Sequence, residues 1–427
     1  MRSGISLFIL LCCFSGQLRA QRDSSAVIDG WTFGGVPVIA YDADFGLQYG
    51  ALGNFYYYGD GGERYPYYDH SIFLEATNTT RGERKVRLRY DARQMIPEGR
   101  FKMELMQLLT LNRPFYGFNG YESYYANDLI NRMSSQFISP LYYAYQQKVW
   151  KAAAIAEKNL RGKQLRITSE VQFLKMDVSA ADRGKYNEGK PSSDWASDSL
   201  TLYEQLVDWN VIDAQHQNGG TYGMIAVGGV VDTRDIEPWP RKGLWEEVSL
   251  SYGIPLDGVS PQTVSLRLIH RHYQTLITDR LVLAHRIQYR TFLSKEAPFY
   301  QLQILGGEDD LRGIRYARLA AMGVAGANVE LRWKVFKWVI FNQNIYGGIN
   351  LFFDTGMVTR RYDFDDSGVP NEYNYLINTD AEKLHHASGM GVKGALNENF
   401  IIAIDYGKAL DARDGESGLY ITLGWLF

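Results

Sequence analysis

The chain has 427 residues, with 45 basic and 48 acidic side chains and a net charge of −3, and beyond its first 20 residues no apolar run is long enough to cross a bilayer as a helix. This weak negative balance excludes nucleic acid as a partner recognised through bulk charge. Aromatic residues make up 14% of the chain, glycines number 42 and the mean hydropathy is −0.27, so strand and turn formers abound without average greasiness, and any membrane crossing must be by β-barrel.

The first 20 residues read as a secretory signal peptide: Arg2 as the positive end, an apolar run from Ile5 to Phe14, and Ala20 before a cut at Gln21. Cleavage removes Cys12 and Cys13 and leaves 43 basic against 48 acidic residues, a net charge of −5. A mature chain without cysteine needs no disulfide framework. Lipid modification of those cysteines is set aside, because Leu11 and Cys12 stand where a small residue is expected. A short N-terminal segment, 21–35, then leads into a single domain, 36–427.

From Trp31 onward the chain alternates polar and apolar residues between turn signals, the period of a strand with one wet and one greasy face. The first strand, Val36 to Ala43, carries Pro37 and reads as short; Phe45 to Tyr58 follows it. In Arg84 to Arg93, Lys85, Arg87, Arg89, Asp91 and Arg93 share one face and Val86, Leu88, Tyr90 and Ala92 the other. A basic residue at the lipid midplane costs about 2–4 kcal/mol, so the charged face must line a polar lumen. Arg267 and Arg271 sort the same way, as do Arg286 and Arg290. About 16 such segments can be counted, an even number as a closed barrel requires, the last running from Ser417 to Phe427. The fold class is therefore all-β: a membrane-spanning antiparallel β-barrel.

Four long connections, Asn112 to Pro140, Ser179 to Asn218, Ser294 to Ala325 and Thr355 to His385, all fall on one side of this array. That asymmetry is the one outer-membrane barrels show, with long loops outside and short turns in the periplasm. Leu129, Met133 and Phe137 recur every fourth residue in the first, and Asp198 stands where it could cap a helical turn presenting Leu200, Tyr203, Leu206 and Val207 in the second. Both helices are expected to pack over the barrel mouth.

The third long connection holds Gly306 and Gly307, then Leu311-Arg312-Gly313-Ile314, before a strand in which Asn328, Glu330, Arg332 and Lys334 alternate with Val329, Leu331, Trp333 and Val335. This stretch resembles the sixth extracellular loop of the Omp85 superfamily of outer-membrane barrels, the BamA/TamA-like or surface-antigen type, whose mark is a (V/L)RG(F/Y) motif after paired glycines; Ile314 stands where the family has an aromatic residue. Asp232-Thr233-Arg234-Asp235 with Pro240 and Gly243 resembles the family's DxRD turn, Glu330 and Asp354 stand at its lumen-facing acids, and a final strand through Tyr420 and Trp425 to Phe427 resembles its C-terminal assembly signal. The resemblance implies an inward-folded extracellular loop, a place in the outer membrane among lipid and lipopolysaccharide, and separate periplasmic or lipoprotein assembly partners. Family members that fold or export other proteins carry periplasmic POTRA domains, for which the 15 residues of segment 21–35 leave no room.

No catalytic constellation or cofactor motif is found. GxSxG is absent, His270, His272 and His285 lack an ordered acid or cysteine partner, and Asp363, Asp365 and Asp366 lack calcium-loop spacing. The expected function is outer-membrane protein assembly, insertion or translocation. A passive channel lined by Arg87, Arg89, Arg267, Arg271, Arg286 and Arg290, or a structural outer-membrane protein, is the alternative; occupancy of the lumen by the loop from Gly306 to Ala325 discriminates the channel. Two site expectations follow. Arg312 reaches into the lumen to bind Glu330 and Asp354, whose parities both point inward, with Gly306, Gly307, Leu311 and Gly313 shaping its loop. The barrel closes by a weak seam between a short first strand, with Val36 and Ile39, and a longer last one, so that cysteines at Ile39 and Tyr420 would bridge it.

Overall fold

The computed structural model describes residues 29–60, 68–93, 95–161, 164–236, 239–277, 280–340, 343–377, 380–396, 400–423 and 425–427. The signal segment and the cut before Gln21 lie outside the described residues. Sixteen strands close into one antiparallel barrel in chain order: β1 Trp31–Asp42, β2 Gly46–Tyr57, β3 His70–Thr79, β4 Glu83–Ala92, β5 Gly99–Pro114, β6 Ala144–Arg161, β7 Leu165–Ala180, β8 Gly219–Asp232, β9 Gly243–Pro255, β10 Thr263–Ile277, β11 Leu281–Phe292, β14 Gly323–Ile340, β15 Gln343–Arg360, β16 His385–Leu396, β17 Phe400–Ala409 and β18 Ser417–Leu423. The remaining two, β12 Gln303–Leu305 and β13 Leu319–Ala321, form a separate hairpin within the connection from β11 to β14.

The period-2 alternation decides which way each face points. Asn328, Glu330 and Arg332 are buried in the lumen, whereas Val329, Leu331 and Trp333 between them are exposed on the outer wall. Exposed aromatic side chains mark both rims of that wall: Tyr49, Trp150, Tyr252 and Tyr406 toward the long-loop end, Trp31, Phe33, Trp333 and Trp338 toward the other. Such girdles sit where a barrel meets the two membrane interfaces. No helix among the described residues is long and apolar enough to cross a membrane.

The long connections gather over one mouth around an aromatic core that includes Phe115, Phe118, Tyr142, Tyr143, Leu202, Leu206 and Phe299. Their local structure corrects two expectations. The 129–133–137 spacing forms no helix; Asn127–Leu129 is a single 3-10 turn and Met133 is exposed, because a four-residue recurrence without a cap or good helix formers does not offset nucleation. The helix Leu202–Asp208 is capped by Thr201, not Asp198: the Thr201 hydroxyl accepts from Glu204 N while the Glu204 carboxylate accepts from Thr201 N, a reciprocal box that Asp198 cannot make.

The seam also departs from expectation. β1 begins at Trp31, inside the segment taken as preceding the domain, because Trp31 packs on Tyr57 and Phe33 on Phe55 across the β1–β2 pair. The short partner is therefore β18, with seven residues against twelve in β1. Among the described residues β1 and β18 share one registered pair, Tyr41 opposite Ile421, while β17 meets β18 from Ile402–Leu423 to Lys408–Ser417. Trp425 and Phe427 do not continue the strand. Phe427 turns inward onto Tyr273, Val282 and Ala284 of β10 and β11, and Trp425 sets its ring edge-on to Trp239.

Candidate functional site: the loop anchor and the seam

The connection from β11 to β14 folds back into the barrel. Gly306 and Gly307 adopt φ of +118° and +88°, and a Cβ on Gly306 would stand 2.0 Å from the Arg315 carbonyl oxygen, so the turn into the lumen admits only glycine. Leu305, Leu311, Ile314 and Leu319 are fully buried against Val324 and Val358 of the wall. Ile314 thus fills the place of the aromatic residue as an apolar peg. Gly313, at φ +94°, meets Gly407 of β17 backbone to backbone: a Cβ on either would come within 2.7 Å of the other segment. The Gly313 amide donates to the Tyr420 hydroxyl at 3.0 Å, which places Tyr420 of the last strand inside the lumen.

That approach delivers Arg312 to the wall. Its amide and Nε donate to Asp354 Oδ2 at 3.1 and 3.0 Å, and its Nη2 donates to Asp354 Oδ1 at 3.1 Å, a two-pronged guanidinium–carboxylate pair. Nη1 stands 2.6 Å from Glu330 Oε1, an ion pair too bent to count as a hydrogen bond, since neither atom has a hydrogen-bond partner. The guanidinium lies 3.5 Å above the Phe352 ring. Asp405 approaches Nη1 at 3.6 Å and accepts from Lys393 Nζ at 2.5 Å; Glu330 also accepts from Arg332 Nε at 2.7 Å. Three cations and three carboxylates therefore neutralise one another where no charge could stand alone. Asp405 and Lys393 carry no motif; only the pairing of β16 with β17 brings them to the site.

Of the six arginines expected to line a channel, four have acid, amide or carbonyl partners and Arg89 lies 4.3 Å over the Phe73 ring. Arg286 donates to Asn328 and to the Asp309 carbonyl, Arg290 pairs with Asp310 at 2.9 Å, Arg87 pairs with Glu75 and Arg267 stands 3.6 Å from Glu247. His270, His272 and His285 sit on the outer wall, with 3.1 Å between Nε2 of His270 and of His285; among the described residues no group of three or more ligating side chains is set to hold a metal ion.

Beside the anchor lies a chamber of about 320 Å³ that reaches the seam itself, lined by Ala40 and Tyr41 of β1, Tyr420 and Thr422 of β18, and Glu308. Ile39 faces outward, whereas Val36 has the inward parity of Val38 and Ala40, and Tyr420 faces inward, so the pair Ile39 and Tyr420 lies on opposite faces and cannot be bridged; the one-residue parity of a strand decides this. Burial in the barrel, and then Asp42 and Asp309 nearby, push the Glu308 carboxyl up to about 8 from an ordinary 4.5. Between those two values the docked loop holds a proton that the released loop does not, so docking weakens as pH rises through that window. Protease cleavage of the loop should therefore increase from pH 6 to pH 9, and Glu308→Gln should flatten the profile; an unchanged profile would assign the effect elsewhere.

A closed 16-stranded transmembrane barrel with an arginine-anchored loop in its lumen defines a class of outer-membrane barrels. The chain belongs to the Omp85 superfamily: the model of the Omp85 superfamily domain matches residues 142–427. Comparison with curated proteins returns no match. Among solved structures the fold is similar to BamA from Haemophilus ducreyi lacking POTRA domains 1–3, with a TM-score of 0.58 and 14% identity over 93% of this chain and 70% of that one. It is also similar to CdiB from Escherichia coli, with a TM-score of 0.54 and 10% identity over 92% of this chain and 62% of that one.

Proposed function

We propose that this barrel works in the outer membrane of a Gram-negative bacterium on other proteins, inserting or exporting them with separate periplasmic partners, and that the β1–β18 seam is where they pass. The observation that carries the reading is that seam. Among the described residues one registered pair joins β1 to β18, and an incoming strand could take up the β1 edge that β18 leaves bare, as edge strands generally invite. In this orientation the long-loop end is extracellular and the chain terminus periplasmic. A passive channel is the weaker reading, because the loop packs its apolar residues into the lumen and Arg87 and Arg290, among the arginines that would select anions, are paired with acids.

Tyr41 and Ile421 face one another across the seam, at a cross-strand separation a disulfide can span with small adjustment. The double variant Tyr41→Cys with Ile421→Cys should crosslink on oxidation and deplete client proteins from the outer membrane, with recovery on reduction. Quantitative proteomics of membranes from cells relying on the variant reads the outcome, and affinity purification of the wild type identifies what co-purifies. Full crosslinking with an unaltered membrane proteome removes the seam from the mechanism.

A further inference from the structure

On the outer wall, β4 to β7 set three rows of side chains at successive heights. Reading from the long-loop end, pairing places Arg84, Leu109, Lys148 and Asp177 side by side, then Val86, Gln107, Trp150 and Lys175, then Leu88, Leu105, Ala152 and Phe173. The lower rows enclose a shallow groove of about 560 Å³ that includes Val86, Leu88, Leu105, Trp150 and Phe173, with Lys175 at its edge. All five of those side chains are exposed. The three cations crown the groove: Lys148 Nζ stands 5.0 Å over the Trp150 ring and Lys175 pairs with Asp177 at 3.3 Å. Arg84 is exposed, two strands from Lys148, or about 10 Å at ordinary strand spacing.

We propose that this face is a binding site for a phosphorylated glycolipid of the outer leaflet, a diphosphorylated, multiply acylated lipid A, and the inference rests on the outer-membrane orientation proposed above. The cations stand at the height where Trp150 marks the interface, level with headgroups, while the groove beneath them runs toward the membrane centre. Three cations against one carboxylate leave a surplus that two phosphates match, and lysine serves phosphate as a point charge where arginine adds a planar fork. The groove spans four strands, about 14 Å across, which is wider than one acyl chain and favours a multiply acylated lipid over a phospholipid.

The test is native mass spectrometry of the full chain in detergent, with three probes: diphosphoryl hexa-acyl lipid A, the same lipid freed of phosphate, and phosphatidylglycerol. The wild type should retain diphosphoryl lipid A. The triple variant Arg84→Gln, Lys148→Gln, Lys175→Gln should lose at least tenfold in affinity, while Lys408→Gln, an outward cation on β17, should lose nothing. Heat-modifiable gel migration checks that each variant is folded. Equal retention by the triple variant, equal binding of the phosphate-free lipid or equal binding of phosphatidylglycerol would each overturn the assignment. Cell fractionation that placed the protein in another membrane would instead remove the orientation, leaving the binding result to stand as measured.

Discussion

Arg312→Ala should release the inward loop while leaving the barrel closed. The guanidinium is fully enclosed and holds Asp354 through two side-chain hydrogen bonds and Glu330 through an ion pair. Truncation leaves two buried carboxylates, with Asp405 close by, facing a void; breaking a buried pair from one side costs about 3–5 kcal/mol, a factor of 10² or more in the docking equilibrium. The apolar pegs Leu311 and Ile314 oppose release, but Gly313 permits the backbone to leave as readily as it permits approach. Loop cleavage by protease should rise steeply, and the heat-modifiable shift on gels should occur at lower temperature. Glu330→Gln should act in the same direction more weakly, because Arg332 keeps a partner there, and Arg312→Lys should recover only part of the loss, since an ammonium cannot make the fork. Wild-type behaviour of Arg312→Ala in both assays would mean that the apolar pegs alone hold the loop.

How much of this was legible beforehand depended on whether parity or path decided the outcome. Parity placed Glu330 and Asp354 in the lumen, because a charge on a long strand has one tolerable face in a membrane, and the same rule sorted Arg87, Arg286 and Arg290. Path defeated it at the seam: Tyr420, Trp425 and Phe427 alternate as a strand would, yet β18 stops at Leu423 and the last residues turn inward. The same alternation serves either course, so the pattern carries no information about where pairing ends. Asp405 and Lys393 were missed for a related reason. Each has the right parity, but their meeting with Arg312 depends on how far β16 and β17 are sheared against the loop. The histidines illustrate the opposite case: the outer face they share was legible, whereas the acid partner not expected for them is present, Glu246 Oε1 standing 2.6 Å from His270 Nδ1.

Asp414 had no sequence signal at all, standing in the turn Asp411-Ala412-Arg413-Asp414 like any solvated acid, and its removal is the second large effect expected. It is fully buried and accepts from Tyr121 Oη at 2.6 Å and from His385 Nδ1 at 2.6 Å, with Arg318 Nε 3.8 Å away. Tyr121 comes from the first long loop, Arg318 from the inward loop and His385 from the rim of β16; His385 Nε2 meets Glu382 of the preceding loop at 3.1 Å, and its ring stacks on Tyr121 at 3.9 Å. Arg318 also donates to the carbonyls of Gly120, Ser123 and Arg413. One carboxylate thus joins four connections at the long-loop end. Asp414→Ala would leave the Tyr121 hydroxyl and His385 Nδ1 without their acceptor, each stranded buried group costing about 1–3 kcal/mol, less than additively because they share one centre, while Arg318 keeps its carbonyls and loses a nearby carboxylate. Hydrogen exchange should accelerate together in 115–143, 361–384 and 410–416, and cleavage in the first of these should rise, whereas Asp414→Asn, which keeps an acceptor, should fall between. Exchange confined to 410–416 would show that the turn is held locally and that the cap is closed by its aromatic core. Because Arg318 and Arg312 lie six residues apart on the same inward loop, Asp414→Ala with Arg312→Ala should also prove non-additive: once either end is free, the loop can drift, and the second loss costs less than the first.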